Sequence, residues 1–224
     1  MNTKKRFGVF CALLICGSAP AIDTPAKPAT TASTASALFA GGCFWCIEAD
    51  FERLPGVIGA ESGYTAGRTP NPTYEQVSAG GTGHTEAVRV TYDPAKVSYP
   101  QLVDYFWRHI DPTVKDRQFC DAGTQYRSGI YWQNEAERKV AEASRDTLLK
   151  GGKLTKIHTE IIAASTFYPA EEYHQDYYKK NPIRYAYYRK SCGREARVEE
   201  IWGANSSTRG KAVYMTANAG RPPE

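Results

Sequence analysis

A chain of 224 residues, 42% hydrophobic and 23% charged, suits one domain plus appendages and has ample length for a buried core. Its net charge of +4 is mild. The basic residues are dispersed, which argues against nucleic acid as the main partner.

Met1 to Ala21 has the three parts of a secretory signal: basic Lys4-Lys5-Arg6, an apolar run from Phe7 to Cys16, and Ala19-Pro20-Ala21 as a cleavage site. The run is shorter than the roughly 20 residues that span a bilayer, so no stable membrane span is expected. Export with cleavage after Ala21, into a periplasm-like compartment, is the expectation. A lipoprotein signal on Cys16 is the rival, opposed by the bulky Ile15 before it, and an uncleaved anchor is the third reading. Cleavage removes Cys11 and Cys16 and leaves Cys43, Cys46, Cys120 and Cys192. Residues 22–35 are mostly Thr, Ala, Pro and Ser, with almost nothing to bury, and read as a disordered linker.

The folded domain is expected over 36–202, with a loose tail over 203–224. Ala37 to Ala40 reads as a strand, and apolar residues recur at helical spacing from Ile47 to Leu54. Between them, Gly41-Gly42 delivers Cys43 to a strand-to-helix junction, where unpaired amides and the helix dipole favour a thiolate. Phe44 and Trp45 are costly to expose unless they line a pocket or pack inward. Cys46 follows one helical turn on, so the two sulfurs are neighbours. Two buried structural cysteines would be the bland account; the glycine turn, the helix start and the second thiol together favour redox chemistry.

Pro55-Gly56 stops that helix and Val57 to Tyr64 reads as a strand. Thr65 to Gly83 is a long Gly/Pro/Asn loop, and loops of that length in a compact domain tend to be functional. From His84 to Tyr92 the residues alternate, which puts Glu86 on one face with Val88, Val90 and Tyr92. A carboxyl held against an apolar face has its pKa raised and can stay protonated near neutrality. Ser98 to Gln101 is a capping box that opens a helix with Leu102, Val103, Phe106 and Ile110 on its buried stripe. A polar loop over 111–128 precedes a strand at Gly129 to Trp132, a helix capped by Asn134 and Glu137 and stopped at Gly151-Gly152, a strand at Ile157 to Ala163 and a short helix at Ala170 to Lys180. Beyond Asn181-Pro182 the chain is rich in Tyr and Arg without clear periodicity, and an irregular C-terminal segment is expected. Strands alternating with helices predict an α+β two-layer sandwich of the ferredoxin-like, split β-α-β kind with long functional loops.

Seven stretches, in order, resemble one family: Gly42-Cys43-Phe44-Trp45, Gly63-Tyr64-Thr65, Thr69 to Tyr74, Thr82-Gly83-His84-Thr85-Glu86, Asp111-Pro112-Thr113, Gly123 to Ser128 and Tyr173-His174-Gln175. They are similar to peptide methionine sulfoxide reductases of type A, which act on the S epimer, over roughly residues 37 to 185. The resemblance implies Cys43 as nucleophile on sulfur, Glu86 as the acid for the sulfoxide oxygen, Tyr74 and Tyr126 as phenols that hydrogen-bond that oxygen, and Asp121 as a carboxylate orienting substrate and water. Phe44 and Trp45 would form the apolar wall around the S-methyl group. His174 is also family-like, but a lone histidine is more often structural and stays outside the expected site.

Attack leaves Cys43 as a sulfenic acid, which a nearby thiol condenses to a disulfide. Two residues compete for that task. Cys46 is the favoured resolver, and Cys192 is either a relay to the reductant or the true resolver. Many relatives carry Gly at the Cys46 position, and many have a resolving cysteine where this chain has Ala186. Cys120 replaces a common Asn and reads as a tolerated substitution whose closeness to Asp121 leaves a side reaction open, while Ser78 replaces a Cys and reads as neutral.

The resemblance implies a thioredoxin-like reductant, oxidised proteins or peptides bearing methionine S-sulfoxide as substrates, no cofactor or metal, and a monomer. Two other functions are weighed against it. A general thiol-disulfide oxidoreductase built on Cys43 and Cys46 would leave Glu86, Tyr74 and Tyr126 without work. A zinc module built on the four cysteines has weak spacing.

Overall fold

The structure, a computed structural model, describes Met1 and residues 33–203. The expected leader at 1–21, most of the 22–35 linker and the tail after 203 lie outside the described residues.

The sheet has six strands: β1 (Ala35–Gly41), β2 (Val57–Thr65), β3 (Thr85–Tyr92), β6 (Ser128–Trp132), β7 (Glu160–Ala163) and β8 (Tyr168–Pro169), in the order β7-β6-β1-β3-β2-β8. Its inner four strands run β6-β1-β3-β2, all antiparallel pairs. Helix α1 (Phe44–Phe51) connects β1 to β2, while α3 (Tyr99–Trp107) lies between β3 and β6. This order and these crossovers make the split β-α-β arrangement expected from the sequence. β7 extends one edge as a parallel strand and β8 extends the other.

Period-2 alternation decides which side chains face the helices. Ala37, Phe39, Val88, Val90 and Ile130 point to one face and pack with Ile47 and Phe51 of α1 and Leu102, Val103 and Phe106 of α3. Phe39 is fully buried and stacks at 4.9 Å on Phe51 and 5.1 Å on Phe106, so one strand residue joins both helices. The opposite face carries a smaller cluster of Leu38, Ala40, Ala87 and Tyr131, against which Ala164 and Phe167 pack.

The capping signals hold. Ser98 N–H donates to Gln101 Oε1 at 2.8 Å at the start of α3, and Asn134 Oδ1 accepts from Glu137 N–H at 3.0 Å at the start of α4 (Glu135–Lys150).

Three expectations need correction. The 65–83 loop contains a short helix, α2 (Tyr74–Ser78), which a Thr73–Gln76 capping box starts. The predicted 170–180 helix is broken into a 3₁₀ turn, Glu172–His174, and α5 (Tyr177–Lys180) by Asp176, whose φ of 54° is left-handed. The C-terminal segment is helical, not irregular: α6 (Pro182–Ser191) and α7 (Arg194–Trp202) follow one another across Cys192-Gly193. Pro182 at the first helical position starts α6, since its missing N–H would have no partner there anyway. The periodicity is faint because tertiary contacts hold α6: its Tyr185 is buried, and Arg189 forms a 2.9 Å ion pair with the buried Asp50 of α1.

Candidate active site

Cys43 is positioned by the end of β1. Gly42 makes the turn at a φ of +82°, where a Cβ would lie 2.5 Å from the Gln118 Cβ, so only glycine fits both the backbone and the space. Cys43 then caps α1, and its carbonyl accepts from the Cys46 amide at 3.1 Å. The end of β1 is pinned from the far end of the chain: the Arg194 guanidinium, 2% exposed, donates from Nη2 to the Gly41 carbonyl at 3.0 Å and from Nη1 to the His109 carbonyl at 2.8 Å.

Glu86 enters from β3, opposite Tyr64 of β2. It lies on the buried face as the alternation required, and its Oε2 accepts from the Phe44 N–H at 2.9 Å. Burial pushes its carboxyl up to about 8, against the lowering effect of that hydrogen bond. A carboxylic acid that keeps its proton at neutral pH is thereby set next to the residue that follows Cys43.

The remaining side chains come from the long loops. Tyr74 opens α2, and its N–H donates to Glu171 Oε1 at 2.8 Å, while the Tyr64 hydroxyl donates to Oε2 of the same carboxylate at 2.8 Å. Tyr126 ends a 3₁₀ turn (Thr124–Tyr126). Asp121 lies in a two-stranded ribbon, β4 (Arg117–Gln118) with β5 (Asp121–Ala122). Burial raises the Tyr74 phenol to about 12 and raises Tyr126 as well, so both remain donors. Arg127 ties the loops together, donating to the carbonyls of Gly83 at 3.1 Å and Thr124 at 2.8 Å and pairing with Glu160 at 3.0 Å.

Every residue expected in the catalytic or substrate-binding set borders one cavity of about 80 Å³: Cys43, Phe44, Trp45, Tyr74, Glu86, Asp121 and Tyr126. Tyr188 of α6 completes its lining. Phe44 is buried and Trp45 half-buried, so the wall is built by both rings. Trp45 stacks on Tyr177 at 3.7 Å and donates its indole N–H to His174 Nδ1 at 3.0 Å. His174, set aside on sequence grounds, therefore orients the wall; Phe44 and Tyr74 also pack on its ring, at 5.0 and 4.3 Å. Tyr188 was missed because nothing in a Tyr-rich stretch distinguishes one ring from its neighbours.

The four cysteines of the domain form two pairs. Cys120 and Cys192 are joined in a disulfide, with a Cα–Cα distance of 4.9 Å. Cys120, expected as a tolerated substitution, is thus half of a crosslink, and Cys192 is not a free thiol in this state. Cys43 and Cys46 are free and buried, 5% and 2% exposed. The helix start expected to favour a Cys43 thiolate is present, yet burial pushes that thiol up, with Cys46 and Glu86 adding to the effect. Charge on the pair settles on Cys46, whose thiol falls to about 7 through its hydrogen bond with Cys43 and the nearby Arg194 and Arg189 guanidiniums.

The chain matches the family model described as peptide methionine sulfoxide reductase over residues 35–206. It is 48% identical over 193 residues to "Peptide methionine sulfoxide reductase MsrA 2" of Caulobacter vibrioides, covering 86% of this chain and 94% of that one. It is 49% identical over 168 residues to a Bacillus licheniformis MsrA, covering 75% and 93%. Among solved structures, the reduced form of Mxr1 from Saccharomyces cerevisiae superposes with a TM-score of 0.62 at 35% identity, covering 68% of this chain and 88% of that one. Methionine sulfoxide reductase A of Corynebacterium diphtheriae gives 0.60 at 38% identity, covering 66% and 76%. A nucleophile, a buried acid, two phenols and an aromatic wall meeting in one small cavity agree with these likenesses, and the chain belongs to the peptide methionine sulfoxide reductase family.

Proposed function

We propose that this protein reduces the S epimer of methionine sulfoxide, in proteins, peptides and the free amino acid, to methionine. One observation carries the reading: the Cys43 sulfur and the protonated Glu86 carboxyl border the same cavity as two phenols and an apolar wall. Oxide is not a viable leaving group, so attack by sulfur needs simultaneous proton donation to the sulfoxide oxygen. Cys43 gives its thiol proton to the Cys46 thiolate and attacks the substrate sulfur, Glu86 supplies the proton to oxygen, and Tyr74 and Tyr126 hold that oxygen as charge develops on it. Phe44 and Trp45 enclose the S-methyl group, and Asp121 orients the polar side. The hydroxyl then passes from the substrate sulfur to Cys43 Sγ as the S–S bond of the adduct breaks, so the thioether leaves with its electron pair and Cys43 becomes a sulfenic acid. Cys46 returns a proton to Glu86 and regains its anion.

Cys46 is the resolving thiol in this scheme. It neighbours Cys43, its anion is favoured near neutrality, and Cys192 is already committed to Cys120. A thioredoxin-like dithiol then reduces the Cys43–Cys46 disulfide. General protein disulfide exchange is the weaker reading, because both thiols are buried and the acid and phenols would be idle. The leader-like sequence of residues 1–21 supports action after export, with a reductant that works outside the cytosol.

The test is a single turnover. Chain with Cys43 and Cys46 reduced is mixed with a peptide bearing methionine S-sulfoxide, without other reductant. One methionine per chain and loss of both thiols are expected, with no methionine from the R epimer. No methionine from the S epimer refutes the function.

A further inference from the structure

The chemistry proposed above puts two protons on one oxygen, and Glu86 accounts for the first. The second is needed when that oxygen leaves Cys43 as water, since hydroxide is a poor leaving group. We infer that the Tyr188 hydroxyl, backed by the Asp121 carboxyl, is the acid of this second step, so that Tyr188 is a catalytic residue of the resolving half-reaction. The inference rests on the sulfenic acid chemistry of the proposed function.

The geometry is that of a three-membered chain. Tyr188 borders the same cavity as Cys43, and its ring packs against the Cys43–Cys46 cluster. The same hydroxyl donates to Asp121 Oδ2 at 2.6 Å. Its ring is held edge-on to Trp45 at 5.8 Å. The pair is also pinned covalently: the Cys120–Cys192 disulfide joins the residue before Asp121 to the residue one turn after Tyr188, and the Cys192 N–H donates to the Tyr188 carbonyl at 2.9 Å. A phenol and a carboxyl from segments far apart in the sequence are thus fixed to each other in the cavity that holds Cys43.

In the step itself, the Cys46 thiolate attacks Cys43 Sγ. The S–S bond forms, the S–O bond breaks with its electron pair going to oxygen, and that oxygen takes the phenolic proton and departs as water. Asp121 returns a proton to the phenolate and is left as carboxylate, so the negative charge moves from Cys46 to Asp121. Other groups facing this chain are Cys46 from α1, Glu86 from β3, Tyr74 from α2, Tyr126 from the 3₁₀ turn and Arg194 from α7. Burial raises Asp121, while the hydrogen bond from Tyr188 and the Arg194 charge act in the opposite direction.

The experiment starts from a hydrogen peroxide pulse, which oxidises the Cys43–Cys46 pair without any sulfoxide and so is independent of whether the substrate assignment is right. Peptide mapping of the dimedone adduct picks out the chains oxidised at Cys43. Formation of the Cys43–Cys46 disulfide is followed by mass spectrometry, with dimedone as the trap for sulfenic acid, across pH in the full chain. In the wild type the rate should rise as Cys46 ionises and fall as Asp121 loses its proton. Tyr188→Phe should form the disulfide about tenfold or more slowly, accumulate the dimedone adduct and lose the falling limb. Asp121→Asn should do the same, and the double variant should be no slower than either single one, because both act in one proton path. Should Tyr188→Phe fail to fold, 3,5-difluorotyrosine at position 188 keeps the shape while lowering the phenol's pKa, and it should move the profile. Unchanged rate and profile in a folded Tyr188→Phe chain, or additive losses in the double variant, would overturn the inference.

Discussion

The Phe44 N–H donates to Glu86 Oε2 at 2.9 Å, which ties the carboxyl of a central strand to the first residue of the helix that Cys43 caps. One hydrogen bond therefore joins the strand that carries the proton donor to the helix start that follows the nucleophile. The same bond partly offsets the cost of burying the carboxyl, which still retains its proton to about pH 8.

Replacing Glu86 by Gln should lower kcat by about 10²–10³-fold, the range for loss of a positioned acid, with little change in KM. The wild-type rate of methionine formation should fall as pH rises through about 8, and that limb should be absent in the variant. Stability has a matching sign. The folded pKa lies above the unfolded one, so stability associated with this group is fully present below the unfolded carboxyl's pKa and lost as pH rises toward 8. Glu86→Gln should therefore melt higher than wild type at pH 8 and lose that advantage at pH 4.

Disulfide mapping after one turnover separates the thiols. Cys43→Ser should yield no methionine. Cys46→Ser should yield one equivalent and a Cys43 sulfenic acid that dimedone captures. Cys192→Ser should still form Cys43–Cys46; a wild-type bridge between Cys43 and Cys192 would move the resolving role. The Cys192 variant loses a crosslink spanning 72 residues, and urea melts should show a loss of up to about 4 kcal/mol from loop-closure entropy.

Gly42→Ala should cost about 2 kcal/mol or more, since it adds left-handed strain to a clash with Gln118. The turn it distorts carries Cys43, so single-turnover rate should drop along with the melting temperature. A variant with wild-type stability would show that the turn relaxes freely.

Trp45→Ala removes half of the apolar wall and its stack on Tyr177. KM for the sulfoxide should rise about tenfold with a smaller change in kcat, as for lost contacts shared by ground and transition states. His174→Ala should move KM in the same direction by less, through loss of the 3.0 Å bond that orients the indole. A His174 variant with unaltered KM would leave Trp45 positioned by stacking alone.

Local rules in the sequence determined a good deal. Alternation from His84 to Tyr92 put Glu86 on the core face, because a strand's side chains switch sides at every residue. The double glycine before Cys43 marked a turn onto a helix start, and the capping pairs at Ser98 and Asn134 marked two more helices, since these signals act over three or four residues. What only the tertiary structure decided lies between residues far apart. The Cys120–Cys192 bond, the approach of Tyr188 to Cys43 and the hold of Arg194 on Gly41 each join segments that no periodicity links. The direction of the Cys43 shift belongs there too: the helix terminus visible in the sequence favours the anion, but burial under tyrosines of α5 and α6 pushes the thiol up.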